Sequence, residues 1–480
     1  MGQTILDYVQ HQIALAQARL QSYTIDGEGR HYPERHIFSK IKDHINNFIE
    51  GKSDQRWIIV PGLRGVGKTT VLAQAYYHFL NKHNWLTSTR MIYVSLDEVT
   101  NILGSTLKDV IDAYEQILGV SFEKQDRPII LLIDEVQYDP KWAAVLKSLY
   151  DRSKQIFIIS TGSSAVSLQT NTDVIRRAIF EKLYPMSFNE YQMIKHAIHP
   201  IPGLKHKIMD VLYGSTSAEE AYNALGHLKP EMLQYWSQVD RLEIQEYLTI
   251  GTLPFALRSN KQAQIYESIS LLLDRIILED IQALGRFDMS TLGLIKRLLF
   301  IMADADVLSM NKITQLLPLD RKTILNIFDV LEKAELLIKV PAHGSSTKST
   351  RKPAKYLFMS PAIRLALLNI TGQKSTFQIR QGMLWEDIAA LHFDREFITP
   401  KTGSLSYDSA KAGADFILKI ANQKQLAIEV GAGDKSFRQT VNTMKKISCD
   451  YGVVFCKEKK PILNKDENIL KIPLDYLLTM

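Results

Sequence analysis

The sequence holds only two cysteines, Cys449 and Cys456, in 480 residues. Two thiols provide no disulfide framework and no zinc-ligand set, and they fit core thiols in a reducing compartment. Long hydrophobic runs are also missing: the longest, such as that in RPIILLIDEV, are far shorter than the roughly 20 apolar residues a bilayer crossing requires. The opening MGQTILDYVQ has neither the basic start nor the apolar block of a signal peptide. Together these absences predict a cytoplasmic chain with no membrane partner. Pro and Gly are not enriched, and 45% hydrophobic against 23% charged residues is the balance of a chain that folds. A net charge of +6 permits a polyanionic partner without requiring one. At roughly 150 residues per domain the length predicts about three domains.

What is present begins with RWIIVPGLRGVGKTTVLAQAYYHFL, which predicts a buried strand over 57–61, a glycine-rich turn and a helix from near Lys68. Gly62, Gly67, Lys68 and Thr69 satisfy GxxxxGK[ST]. The expected phosphate cradle is Gly62, Leu63, Arg64, Gly65, Val66, Gly67, Lys68, Thr69 and Thr70. Backbone N–H groups of such a turn curl around phosphate, and the helix N-terminus adds its positive dipole end. Lys68 would reach the β- and γ-oxygens of ATP, and Thr69 would offer a hydroxyl to Mg²⁺. Downstream, the apolar run Ile129–Ile133 predicts a central parallel strand that ends in Asp134 and Glu135. Asp134 is the expected Mg²⁺-side carboxylate, and Glu135 is placed to polarise an attacking water.

Two further strands are expected, at 91–99 and 155–165; the second ends in Ser160, Thr161 and Ser163. Thr161 is the candidate sensor of the γ-phosphate, with a strand-capping hydroxyl as the alternative. Arg176 and Arg177, in TDVIRRAIF, are candidate arginine fingers acting on their own or a neighbouring subunit of a homo-oligomer, or else a surface basic pair.

The order GLRGVGKTT, YVSLDE, ILLIDEVQYDPKW, IISTGSSA, LYPMSFNEY and YLTIGTLPFAL resembles archaeal and bacterial AAA-superfamily P-loop ATPases that carry a C-terminal nuclease-like domain. The resemblance runs over about residues 35–460. It implies an α/β fold: a P-loop NTPase of the additional-strand, catalytic-glutamate type, a winged-helix module and a small PD-(D/E)xK-like domain. It also matches Arg176 or Arg177 to the family's arginine after the GSS turn. The family often has two arginines before VGKT, whereas here Arg64 is followed by Gly65.

The rest of the chain divides by pattern. Residues 189–285 hold helical runs such as EEAYNALGHL that read as packing with no concentrated chemistry. From Leu292 three short amphipathic helices, the last capped by Asp320, precede two strands around AHGSSTKSTRKPA, the order of a winged helix. Arg321, Lys322, Lys348, Arg351, Lys352 and Lys355 would then lie on DNA phosphate, and a protein-contact module is the alternative. Near the end, ADFILKI and LAIEVGAGDK predict a strand pair. By resemblance, Glu386, Asp415 and Glu429 match the metal-binding acids of the nuclease site. Gly431 stands where that family carries lysine, and Lys435 could fold back. Lys445, Lys446, Lys457, Lys459 and Lys460 form a further basic stretch.

The expected organisation is an N-terminal helical extension (1–34), a P-loop core (35–190), a helical segment (191–290), a winged-helix-like module (291–372) and a nuclease-like domain (373–480). The expected function is Mg²⁺-dependent ATP hydrolysis coupled to a DNA-binding, metal-dependent C-terminal half. The alternative is a nucleotide-gated switch that assembles with a protein partner and does not cleave.

Overall fold

The mainly apolar stretches at 57–61, 129–134 and 156–162 form strands buried along their whole length. The computed structural model describes residues 2–162, 172–259, 261–285, 287–305, 310–344, 352–370, 376–420 and 424–480. Ser163, Lys348 and Arg351 lie outside the described residues. Contacts divide the chain into two units, Met1–Tyr184 with Lys333–Glu335, and Pro185–Glu332 with Leu336–Met480.

In the first unit, β1 (Trp57–Pro61), β2 (Met91–Ser95), β3 (Ile129–Asp134), β4 (Ile156–Gly162) and β5 (Ile179–Phe180) form an all-parallel sheet in the order β2-β3-β4-β1-β5. Strand β4 is thus interposed between the strand before the P-loop and the strand that ends in Asp134. β2 stops at Ser95, short of the expected 99, because a helical turn over Glu98–Ile102 follows it. Glu98 there accepts from Tyr8 (3.2 Å) and Gln12 (3.3 Å) of the helix α1, Gly2–Gln21. Ile5 and Val9 of α1 share a core with Ile111 and Tyr114 of α2, Leu107–Leu118. The stretch expected as an extension is therefore part of the first unit, because its apolar face is buried there.

The P-loop core was expected over 35–190, and by contacts the second unit begins at Pro185. There Ser187 and Glu190 form a capping box for the helix Phe188–His196, whose Phe188 stacks on Trp236 at 5.5 Å. Three helices, Met289–Asp304, Met310–Leu316 and Arg321–Lys333, precede an antiparallel pair, β6 (Leu337–Val340) and β7 (Lys355–Phe358). Asp320 caps the third helix by accepting from Thr323 N at 3.0 Å.

A six-stranded mixed sheet follows: β8 (Gly403–Ser406), β9 (Phe416–Ile420), β10 (Gln425–Val430), β11 (Tyr451–Cys456), β12 (Ile462–Asn464) and β13 (Ile469–Pro473), in the order β12-β13-β11-β10-β9-β8. The hairpin and this sheet are joined through their backbones. Ala342 pairs with Tyr407, and His343 N donates to Tyr407 O at 2.8 Å. A buried two-point pair joins Arg364 to Asp387 of the helix Thr376–Phe393, both contacts at 2.7 Å. Among the described residues, no helix is long and apolar enough to cross a membrane. Cys449 and Cys456 are both free thiols, the second buried.

Candidate functional site

The P-loop turns because glycines occupy its left-handed positions, Gly65 at φ 82° and Gly67 at φ 98°. Lys68 then opens the helix Lys68–Lys82. Gly62 answers to space instead: a Cβ there would meet the Leu183 carbonyl oxygen at 2.4 Å. Lys68 Nζ donates to the carbonyls of Gly62 (3.1 Å) and Leu63 (3.3 Å), so its ammonium is stored inside the loop it serves. Glu135 stands 3.9 Å from the same nitrogen.

Strand register assembles the acidic side. Ile133 pairs with Ser160, which brings Thr161 beside Asp134 on the sheet edge where parallel sheets bind ligands. Asp134 accepts from Thr69 Oγ1 (2.6 Å), from Tyr93 Oη (3.1 Å) and from Thr161 Oγ1. Burial pushes the Asp134 carboxyl up, Glu135 adds to this, and the two threonine hydroxyls oppose it. Burial and Asp134 likewise push the Tyr93 phenol up. Glu135 sits just past the strand in the left-handed region, φ 54° and ψ 49°, and its N–H donates to Thr161 at 3.2 Å. A non-glycine residue held there stores about 1–3 kcal/mol, a strain typical of functional positions. The Thr69 hydroxyl and the Asp134 carboxylate are hard oxygen donors that fit Mg²⁺.

Sequence patterns missed two members of this site. Arg35, buried, donates to Val66 O (2.7 Å) inside the P-loop and to Tyr184 O (2.8 Å). Tyr93 is the other. Neither belongs to a motif, and the only signal for Tyr93 is its place on the strand adjacent to Asp134. Arg64 donates to Tyr138 Oη at 3.1 Å. Of the two candidate fingers, Arg177 makes a two-point pair with Asp151 (2.8 and 3.0 Å), while Arg176 is exposed.

A second cluster lies in the second unit. The β9–β10 register pairs Phe416 with Ile428, so Asp415 falls opposite Glu429 and shares its face. Glu386 joins them from the helix Thr376–Phe393 through Lys355. The Lys355 ammonium contacts Glu386 and lies 3.4 Å from Asp415. This corrects the expectation that Lys355 rests on DNA phosphate. It is the first residue of β7, buried, with two carboxylates and the Phe416 ring (5.3 Å) around its nitrogen. Lys352 is exposed and donates to Ser409 at 2.8 Å, and Arg321 and Lys322 are exposed at their helix start.

Lys435 folds back onto Glu429 at 2.7 Å, through the space a side chain at Gly431 would fill; a Cβ there would overlap the Lys435 stem. Gln439 donates to the other Glu429 oxygen at 3.0 Å. Burial, then the Asp415 charge, pushes Glu386 up to about 7 and Glu429 up to about 8. Among the described residues, no three His, Cys, Asp or Glu side chains are set to hold a metal ion. The oxygens suit Mg²⁺ in kind, but they surround ammonium groups in this arrangement.

The parallel sheet with its interposed strand, and Lys68, Thr69 and Asp134 at its edge, define a P-loop ATPase domain of the AAA class. A family profile described as an AAA domain matches residues 54–192, and one described as a domain of unknown function (DUF8612) matches 241–374. The chain belongs to the family of the uncharacterized protein MJ1637 of Methanocaldococcus jannaschii: the two are 34% identical over 469 residues, 97% of this chain and 92% of that protein. It is also similar to an uncharacterized protein of Haemophilus influenzae, at 23% identity over 81% of this chain and 86% of that one. Among solved structures, it is similar to the Walker-type ATPase PABY2304 of Pyrococcus abyssi, with TM-score 0.41 and 12% identity over 72% of this chain and 98% of that one.

Proposed function

We propose that the first unit binds ATP with Mg²⁺ and hydrolyses it to ADP and phosphate. The observation that carries this reading is the convergence of Lys68, Thr69, Asp134 and Glu135 on one sheet edge beside the glycine turn. On nucleotide binding, Lys68 exchanges its two loop carbonyls for phosphate oxygens. Thr69 and Asp134 would hold Mg²⁺, which supplies charge neutralisation on the phosphates when bound. Glu135 takes a proton from the attacking water, and Thr161 fixes the Asp134 carboxylate and the Glu135 N–H in register. Arg176, being exposed, suits contact with a neighbouring copy. The test is nucleotide binding and phosphate release by wild type, Lys68→Ala and Glu135→Gln. Lys68→Ala should lose binding, and Glu135→Gln should bind without turnover; wild-type turnover in Glu135→Gln overturns the assignment.

A second reading concerns the acid cluster: a site for the phosphodiester backbone of DNA, which the three helices and hairpin would bring to it. Lys435 in the Gly431 space favours this reading, since it gives Glu429 the cationic partner that the local triplet lacks. Mobility shifts on duplex and single-stranded DNA at two salt concentrations, and plasmid degradation with Mg²⁺ or Mn²⁺ in wild type and Asp415→Ala, test it. Absence of binding at low salt removes the DNA role and leaves a nucleotide-gated switch with a protein partner.

A further inference from the structure

One helix of the second unit departs from helix preference twice within a single turn. The helix Ala218–Trp236 carries Gly226 in its interior and Pro230 four residues on. An interior glycine costs about 1 kcal/mol relative to alanine. Pro230 has no N–H, so the Gly226 carbonyl loses its helical donor. A Cβ at position 226 would have nothing within 4 Å, so no packing contact demands glycine there.

What the glycine does is deepen a cavity of about 340 Å³. Tyr222, Lys229 and Leu233 line it from the same helix face as Gly226, and Lys459 and Lys460 line it from the loop after β11. That volume lies within the range of small-ligand sites, about 300–1,000 Å³. The helix, read from the sequence as packing with no concentrated chemistry, therefore presents a concave, chemically mixed surface.

Cationic and apolar surfaces meet in it. Lys229, Lys459 and Lys460 are exposed, and among the described residues no carboxylate pairs with them. The acid in the lining, Asp475, is held by Arg241 through contacts of 3.0 and 2.7 Å. Tyr222 and Leu233 remain 39% and 61% exposed, large apolar surfaces on the wall.

We infer that this cavity binds a nucleoside phosphate. The base lies against Tyr222 and Leu233, and the phosphate lies among the three lysines. Aromatic and cationic side chains side by side are how proteins hold unpaired nucleotides. An acidic peptide would satisfy the lysines but leave the aromatic wall unused. The group arrives either as a free nucleotide or as the terminal nucleotide of a strand.

The experiment uses the full chain with Lys68→Ala, which silences the P-loop. Calorimetric titration compares AMP, adenosine, inorganic phosphate, a short 5′-phosphorylated oligo-dA strand and an acidic peptide. AMP or the strand should bind at least about tenfold more tightly than adenosine or phosphate alone, a difference of about 1.4 kcal/mol. Gly226→Leu fills the cavity with a better helix former, so its melting temperature should hold or rise while affinity falls at least about tenfold. Lys459→Ala with Lys460→Ala should weaken binding and flatten its salt dependence. Tighter binding of the strand assigns a nucleic-acid end, and equal or tighter binding of AMP assigns a free nucleotide. Undiminished binding in Gly226→Leu, no binding of AMP or strand at about 1 mM, or tighter binding of the peptide overturns the inference.

Discussion

Replacing Lys355 by methionine removes the ammonium between Glu386 and Asp415 while keeping most of the side-chain volume. The Lys355 side chain is 6% exposed, and its partners are 18% and 14% exposed. Removing one member of such a buried pair costs about 3–5 kcal/mol, a large fraction of the roughly 5–15 kcal/mol that holds a protein folded. The loss should depend on pH. Glu386 and Glu429 are raised from 4.5 to about 7 and about 8, first by burial and then by the Asp415 charge. A carboxyl raised in the folded state keeps its proton longer there than when unfolded. Its contribution is therefore most favourable below about 4.5 and is lost as pH rises through 7 to 8.

Lys355 is one of the groups that hold Glu386 down, so its removal moves Glu386 higher still. The variant's penalty should be small near pH 5, where Glu386 can take a proton, and should approach the full about 3–5 kcal/mol near pH 8.5. Urea unfolding followed by tryptophan fluorescence measures it, with Trp385 adjacent to Glu386 as a reporter. Millimolar Mg²⁺ should restore part of the loss in Lys355→Met, because a divalent ion can neutralise the same oxygens. Equal penalties at both pH values, or none near pH 8.5, would refute the electrostatic account.

Glu135→Gln should lower kcat by at least about 100-fold with little change in ATP affinity, since loss of a general base costs about 10²–10⁴; phosphate release and equilibrium binding measure the two separately. Arg35→Ala removes charge-assisted bonds to Val66 O and Tyr184 O, and should cost about 2–3 kcal/mol of stability and weaken nucleotide binding, read by thermal shift with and without ATP. Gly431→Ala should cost about 1–3 kcal/mol in urea, because its Cβ displaces Lys435 from Glu429. Lys435→Ala should remove any Mg²⁺-dependent cutting of plasmid DNA that the wild type shows.

Much of the first unit was legible in the sequence because its signals are local. A glycine turn that hands a strand to a helix needs its residues within a dozen positions, and strands buried on both faces must be continuously apolar. The Asp320 cap and the β9–β10 pair were legible for the same reason. The PD-(D/E)xK resemblance named Glu386, Asp415 and Glu429, and residue types alone could place them no more closely than that. Lys355 was misread because a lysine in a run of Lys, Ser, Thr and Arg looks solvated until β7 is seen to pack beside Asp415.

By itself the sequence determined the glycine turn that opens a helix, the acid pair at the end of β3 and the strand and helix content around them, since these follow from nearest-neighbour chemistry and period. Only the tertiary structure decided which distant groups share a space: Tyr93 on Asp134, Arg35 on the P-loop, Lys355 among the acids, and Lys435 in the room left by Gly431. Such contacts join residues far apart in the chain, and burial there changes the charge each side chain can carry. No local pattern encodes that.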